Sequence, residues 1–298
     1  MEDLDFSIPG DKAPAGKPAA PAAPQVPAPK TVYNAGIAME VFRAAGKAEA
    51  VPAGGKFFEE GDKAGFLKRD RMFLLMEGEV AMTVKGRPIG SVKVGEIFGE
   101  MAVLAEAPRT ATAVAKTNCR VVTLDAKEFQ RGLQAKPEFA LMLMGMMILR
   151  LRAMLARLGA SALAGAGSLE EAPVFEKPML EALAKGLGPQ ALARHGAGAV
   201  LFKEGAAGVL MYVVTEGKVA VSIKGNVVGR VGPGGMFGEM ALVDQAARTA
   251  TATAETDCAL LGVNRAVFMN LVKANPEFGA ALLGAVAKRV RSIAERLK

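Results

Sequence analysis

Four side chains in this sequence have the type and spacing to hold a small anionic ligand: Glu100 with Arg109, and again Glu239 with Arg248. Each glutamate follows a glycine, Gly99 or Gly238, and leads into Met101-Ala102 or Met240-Ala241, which read as the start of a short helical turn. Each arginine stands nine residues after its glutamate and precedes a threonine, Thr110 or Thr249. A carboxylate accepts hydrogen bonds from hydroxyl groups. A guanidinium pairs with a phosphate through two parallel bonds, which lysine cannot reproduce. Glycine lets backbone come close to a ligand, and amides at a helix start attract an anion. The set suits a ligand carrying both a hydroxyl and a phosphate. Two charge-assisted contacts, backbone amides and an apolar wall amount to roughly micromolar affinity, about −8 kcal/mol. The competing reading is that Glu100 and Arg109 simply pair with each other on the surface. The second copy does not decide between these, because duplicated segments share ancestry.

The elements that must position these residues are themselves duplicated. Phe98-Gly-Glu-Met-Ala recurs as Phe237-Gly-Glu-Met-Ala, an offset of 237 − 98 = 139. The same offset carries Arg109-Thr-Ala-Thr-Ala onto Arg248, Cys119 onto Cys258 and Lys136-Pro-Glu-Phe onto Asn275-Pro-Glu-Phe. Upstream, Phe58-Glu-Glu-Gly matches Phe202-Lys-Glu-Gly at 202 − 58 = 144, so the first copy carries five extra residues between Gly61 and Glu77. A longer loop containing AGFLKRDR is expected there. Within each copy, short apolar or alternating runs predict strands: 209–215, 218–224, 227–231 and 258–263 in the second, joined by Gly-containing turns. Strands at such spacing suggest a small antiparallel barrel or roll. Each copy then ends in helix, the last opening at Asn275-Pro276. Val286, Val290, Ile293 and Leu297 form an apolar stripe along it, matched by Met147, Leu151, Met154 and Leu158. Such a stripe packs on its own domain or on a partner helix.

These readings divide the chain into a Pro/Ala-rich arm at 1–30, a first domain at 31–158, a linker at 159–172 and a second domain at 173–298. Proline runs of this kind favour extended chain and bury little. Ahead of them, MEDLDFSI reads as a frayed terminus or as an acidic docking tag.

Composition narrows the chemistry further. Of 298 residues, 51% are hydrophobic and the formal net charge is +7. Part of that excess lies in the last helix, at Lys288, Arg289, Arg291, Arg296 and Lys298, which faces water, a partner or nucleic acid. With no Trp and two Tyr, platforms for stacking bases are scarce. Cys119 and Cys258 occupy equivalent places in separate copies, so two unbridged core residues are expected. His195, the lone histidine, reads as a loop residue, and no metal-ligand spacing occurs. The most apolar stretch, LMLMGMMIL at Leu141 to Leu149, is nine residues, whereas a membrane span needs about 20. There is no basic-then-apolar leader, so a cytoplasmic location is expected.

The run Gly-x-x-Phe-Gly-Glu-Met-Ala, a short loop and Arg-Thr-Ala resembles the phosphate-binding cassette of cyclic-nucleotide-binding domains. That family includes kinase regulatory subunits, nucleotide-gated channels and the bacterial catabolite activator. The resemblance covers about residues 34–158 and 173–298. It implies a mixed α+β fold with two eight-stranded, jelly-roll-like β-rolls flanked by helices. It also implies cyclic AMP or cyclic GMP as ligand, with no metal. Glu100 and Glu239 would take the ribose 2′-hydroxyl, Arg109 and Arg248 the cyclic phosphate. Amides near Gly99, Ala102, Gly238 and Ala241 would complete the cradle, and Thr110 and Thr249 would face phosphate or base. A threonine there occurs in sites of either nucleotide preference. Met147 or Leu151 and Val286 or Val290 would lie near the purine on a helical lid. Ala247 replaces Pro108 in the second cassette, so its loop is expected to differ.

The sequence contains no P-loop, kinase glycine loop, nucleophile elbow or paired metal carboxylates, so no enzyme is expected. The sequence stops after the last helix without a helix-turn-helix, and the arm has no Arg-Arg-x-Ser/Ala, so neither a DNA-binding domain nor a pseudosubstrate is expected. The function expected is a cyclic-nucleotide sensor or adaptor whose terminal helices re-seat to control an unidentified protein partner. A homodimer through those helices fits the same reading. The alternative is an interaction or scaffold protein with one or both sites unoccupied.

Overall fold

The computed structural model describes residues 33–63, 70–164, 169–244 and 247–296, and residues 31–298 form one compact unit. The arm and most of the AGFLKRDR loop lie outside the described residues.

The first copy runs α1 (Ala35–Ala45), β1 (Lys47–Val51), β2 (Lys56–Phe58), β3 (Arg71–Glu77), β4 (Val80–Val84), β5 (Arg87–Val92), β6 (Ile97–Phe98), α2 (Glu100–Ala105), β7 (Thr112–Ala115), β8 (Cys119–Asp125), α3 (Ala126–Ala135) and α4 (Glu138–Ala164). The second runs β9 (Leu169–Glu171), α5 (Lys177–Leu187), β10 (Leu192–His195), β11 (Val200–Phe202), β12 (Leu210–Glu216), β13 (Val219–Ile223), β14 (Asn226–Val231), β15 (Met236–Phe237), α6 (Met240–Asp244), β16 (Thr251–Ala254), β17 (Cys258–Asn264), α7 (Arg265–Ala274) and α8 (Pro276–Arg296). Each copy folds its strands into two facing sheets. Their orders are β1-β8-β3-β6 with β2-β7-β4-β5, and β10-β17-β12-β15 with β11-β16-β13-β14-β9. The mixed α+β double roll read from the sequence is therefore the observed architecture.

Local sequence accounts for these elements. β3 is a continuous apolar run because it is covered on both faces, with Met72 to Leu75 all buried. Lys85-Gly86 and Lys224-Gly225 both take positive φ, the geometry of tight hairpin turns joining β4 to β5 and β13 to β14. Asp125 accepts from the Glu128 amide and Asn264 from the Val267 amide, which fixes the starts of α3 and α7. Equivalent aromatic rings fill each roll: Phe58, Phe73 and Phe98 in one, Phe202, Tyr212 and Phe237 in the other. Cys119 and Cys258 are buried and unbridged.

Three expectations change. His195 closes β10 opposite Cys258 and is not a loop residue. The segment 159–172 does more than join two domains. Helix α4 continues to Ala164, and β9 pairs in parallel with β14, Glu171 opposite Val231. Small residues had marked the segment as a linker, but its Leu-Glu-Glu end extends a sheet edge that would otherwise be open.

The third change concerns the apolar stripes. Helices α4 and α8 pack against each other, α8 also against α2, and α4 against α6. Met147, Leu151, Val286, Val290 and Ile293 are all buried in this shared core. Each such side chain contributes about 1.5–3 kcal/mol by leaving water. Each stripe is thus covered by a helix of the other copy within the same chain, and not by its own domain alone. Leu158 and Leu297 lie outside the described side chains. Among the described residues, no helix is long and apolar enough to cross a membrane.

Candidate functional site

Each cassette begins with a glycine that no other residue replaces well. Gly99 and Gly238 have φ of +73° and +74°, turning β6 into α2 and β15 into α6. A Cβ at Gly99 would sit 2.8 Å from Arg109 Nη1, and one at Gly238 would sit 2.7 Å from Arg248 Nη1. Backbone angle and guanidinium approach therefore both require glycine.

The arginines are held almost identically. Arg109 Nη1 donates to the Gly99 carbonyl at 2.6 Å and Nη2 to the Arg71 carbonyl at 2.8 Å. Arg248 repeats this with Gly238 at 2.9 Å and Leu210 at 2.7 Å. Each guanidinium lies over a phenylalanine, Phe58 at 4.3 Å or Phe202 at 4.0 Å. Burial lowers both guanidinium pKa values from the usual arginine range, yet arginine stays charged at any ordinary pH.

Their surroundings differ. Asp70, at the end of the first copy's longer loop, lies 3.3 Å from Arg109 Nη2. Its counterpart at 70 + 139 = 209 is Val209, which is exposed. Arg248 Nε is buried and has no hydrogen-bond partner among the described residues. A buried charged donor without an acceptor is costly, and an anion would satisfy it.

Glu100 and Glu239 are buried, 4% and 3% exposed. Neither pairs with its cassette arginine, so the surface-pair reading fails. Arg150 of α4 donates to Glu100 at 2.5 Å, and Arg289 of α8 donates to Glu239 at 2.7 Å. Sequence reasoning missed both. The signal was available: each stands 50 residues after its glutamate, 150 − 100 and 289 − 239, on the shared offset. Arg289 also donates to Glu171 and to the Met236 carbonyl. Arg291 reaches into the first cassette, donating to the Pro108 carbonyl at 2.9 Å. Among the described basic side chains of the last helix, Arg289 and Arg291 are therefore turned inward, while Lys288 is exposed.

A cavity of about 790 Å³ opens beside the second cassette, lined by Glu239, Met240, Ala241, Arg248 and Thr249 and walled by Leu151. Thr249 Oγ1 donates to Met240 Sδ at 3.3 Å. A cavity of about 620 Å³ touches Ala102 and Pro108 of the first cassette without including Glu100 or Arg109. Met101 is half-buried against the shared core, and Thr110 is exposed. The lid expectations shift accordingly. Leu151 walls the second site, not the first, because α4 crosses to α6. Met147 and Val286 are core residues between α4 and α8. No cluster of three or more potential metal ligands occurs among the described residues.

The family model of the cyclic nucleotide-binding domain matches residues 49–136 and 193–275. The chain is 27% identical over 228 residues to a cAMP-dependent protein kinase regulatory subunit of Eremothecium gossypii, covering 74% of this chain and 43% of that protein. It is 31% identical over 121 residues to a CRP-like cAMP-activated global transcriptional regulator of Mycobacterium tuberculosis, covering 39% and 53%. A solved structure of the regulatory domain of Toxoplasma gondii PKA with cAMP is 21% identical, with TM-score 0.30, covering 86% of this chain and 88% of that one. The chain spans about half the length, or less, of the curated relatives it matches.

Proposed function

The chain belongs to the cyclic nucleotide-binding domain family, and on that premise we propose that it is a sensor of cyclic AMP or cyclic GMP with two binding domains, residues 31–158 and 173–298. The observation that carries this is Arg248: buried, charged, fixed by two backbone carbonyls, on the lining of a cavity, and with an Nε that has no hydrogen-bond partner among the described residues. A cyclic phosphate supplies that acceptor. Glu239, at the start of α6, accepts the ribose 2′-hydroxyl, while Met240, Ala241 and Thr249 lie along the same wall. In the first copy Gly99, Glu100, Met101, Ala102, Arg109 and Thr110 take the same roles.

The signal leaves through the glutamates. Each is bonded to an arginine on a terminal helix, so a hydroxyl arriving at the carboxylate redistributes the hold on α4 or α8. Those helices pack on each other and on the opposite cassette helix. A ligand that prefers one arrangement of the pair shifts its population and thereby a surface offered to another protein. A narrower reading, in which the first site stays empty, is favoured by Asp70, which already neutralises Arg109.

Calorimetric titration with each nucleotide tests the assignment. Wild type is expected to bind, and Arg109→Ala/Arg248→Ala is expected to lose binding by at least about a hundredfold, since several charge-assisted bonds go at once. Wild-type affinity in the double variant removes the assignment.

A further inference from the structure

The two terminal-helix arginines are not held alike. Arg150 has one carboxylate partner among the described residues, Glu100, and its side chain is 45% exposed. Arg289 is 20% exposed and lies between two carboxylates. Nη1 donates to Glu239, while Nη2 is taken by Glu171 and by the Met236 carbonyl at 2.5 Å. Glu171 comes from the connecting strand β9, and its place is pinned by the pairing of β9 with β14.

We propose that Glu171 is a positioning residue of the second nucleotide site, one that divides Arg289 between two acceptors and so keeps an oxygen of Glu239 open to the ligand's ribose hydroxyl. The reason is geometric. A guanidinium without a second acceptor can close on a single carboxylate through two parallel bonds. Closure of that kind on Glu239 would occupy both oxygens and compete with the hydroxyl. Glu171 removes Nη2 from that competition. Electrostatics agrees with this division. Burial works against the charge on Arg289, but Glu239 and Glu171 outweigh it and hold the guanidinium above its ordinary pKa. Burial raises the Glu171 carboxyl, and Arg289 opposes that rise. The second site's reading of ribose thus depends on a residue outside both cassettes, on the chain that leads out of α4.

This rests on Glu239 as the ribose ligand, so the experiment reads ribose directly. In the full chain carrying Arg109→Ala, binding of the preferred cyclic nucleotide is compared with that of its 2′-deoxy analogue. With Glu171 intact, the 2′-hydroxyl is expected to favour binding by about tenfold or more, the worth of a hydrogen bond to a charged acceptor. Glu171→Ala is expected to reduce that preference to about twofold or less. Glu171→Gln, which keeps an acceptor for Nη2, is expected to retain most of it. If Glu171→Ala weakens both ligands equally and leaves the ratio unchanged, Glu171 is merely structural and the proposal falls. If the intact chain shows no preference for the hydroxyl, the ribose role of Glu239 falls and this proposal with it.

Discussion

The two cassettes present the same inner residues in the same geometry, and their differences lie one layer outward. Gly99 and Gly238 turn alike, and Arg109 and Arg248 reach equivalent carbonyls over equivalent phenylalanines. Around the first arginine stands Asp70; around the second, the buried Nε has no hydrogen-bond partner among the described residues. Around the first glutamate stands a half-exposed Arg150; around the second, an Arg289 clamped by Glu171. Duplication supplied two copies of the chemistry. Segments outside the motif, a longer loop and a connecting strand, supply the residues that differ around each copy, Asp70 and Glu171.

The largest effect should come from Arg248→Lys. Lysine keeps the charge but cannot reach two carbonyls and still offer parallel donors. The second site is expected to weaken by about a hundredfold in calorimetry while the first is unchanged. Equal loss at both sites would erase the distinction between them.

Gly238→Ala comes next. Left-handed backbone costs a non-glycine residue about 1–2 kcal/mol, and the new methyl meets the guanidinium. Weakening of the second site by about tenfold or more is expected, with a measurable fall in denaturant midpoint. Gly99→Ala should do the same to the first site, so the pair tests whether the inner geometry is truly shared.

Arg291→Ala separates the copies in another way. The residue belongs to the second copy but holds Pro108 of the first. Partial exposure limits its worth to about 1 kcal/mol, so the first site is expected to weaken about fivefold and the second to change little. Loss at the second site alone would place α8's influence within its own copy.

The smallest change is expected from Asp70→Val, which gives the first copy the residue found at 209. Removing a partly exposed carboxylate beside Arg109 is expected to tighten the first site a few-fold, more at low salt than at high. An unchanged or weaker site would make Asp70 a support for Arg109, not a competitor.

Much of this was legible in the residues. The repeat at offset 139 located both cassettes, and turn glycines and apolar runs located the strands, because each signal is local. What escaped was contributed from a distance. Arg150 and Arg289 look like ordinary basic positions on helices, and only packing brings them to the glutamates. Glu171 sits in a stretch whose small residues suggest a linker, and its role appears only through pairing with β14. The stripes on α4 and α8 were visible, but a stripe does not say what covers it. Here each covers the other, and α4 crosses to the second site. Helix α1 drew no reading of its own, although Asn34 caps it and Val41 and Phe42 are buried.

The central claim is that both copies are built for a cyclic nucleotide and that the second is the readier. Titration of the intact chain with cyclic AMP and with cyclic GMP, followed by calorimetry to stoichiometry, tests it most directly. The account predicts two equivalents of one of these ligands, with the tighter removed by Arg248→Ala and the weaker by Arg109→Ala. Absence of binding by either nucleotide, or a tighter site that survives Arg248→Ala, would contradict it.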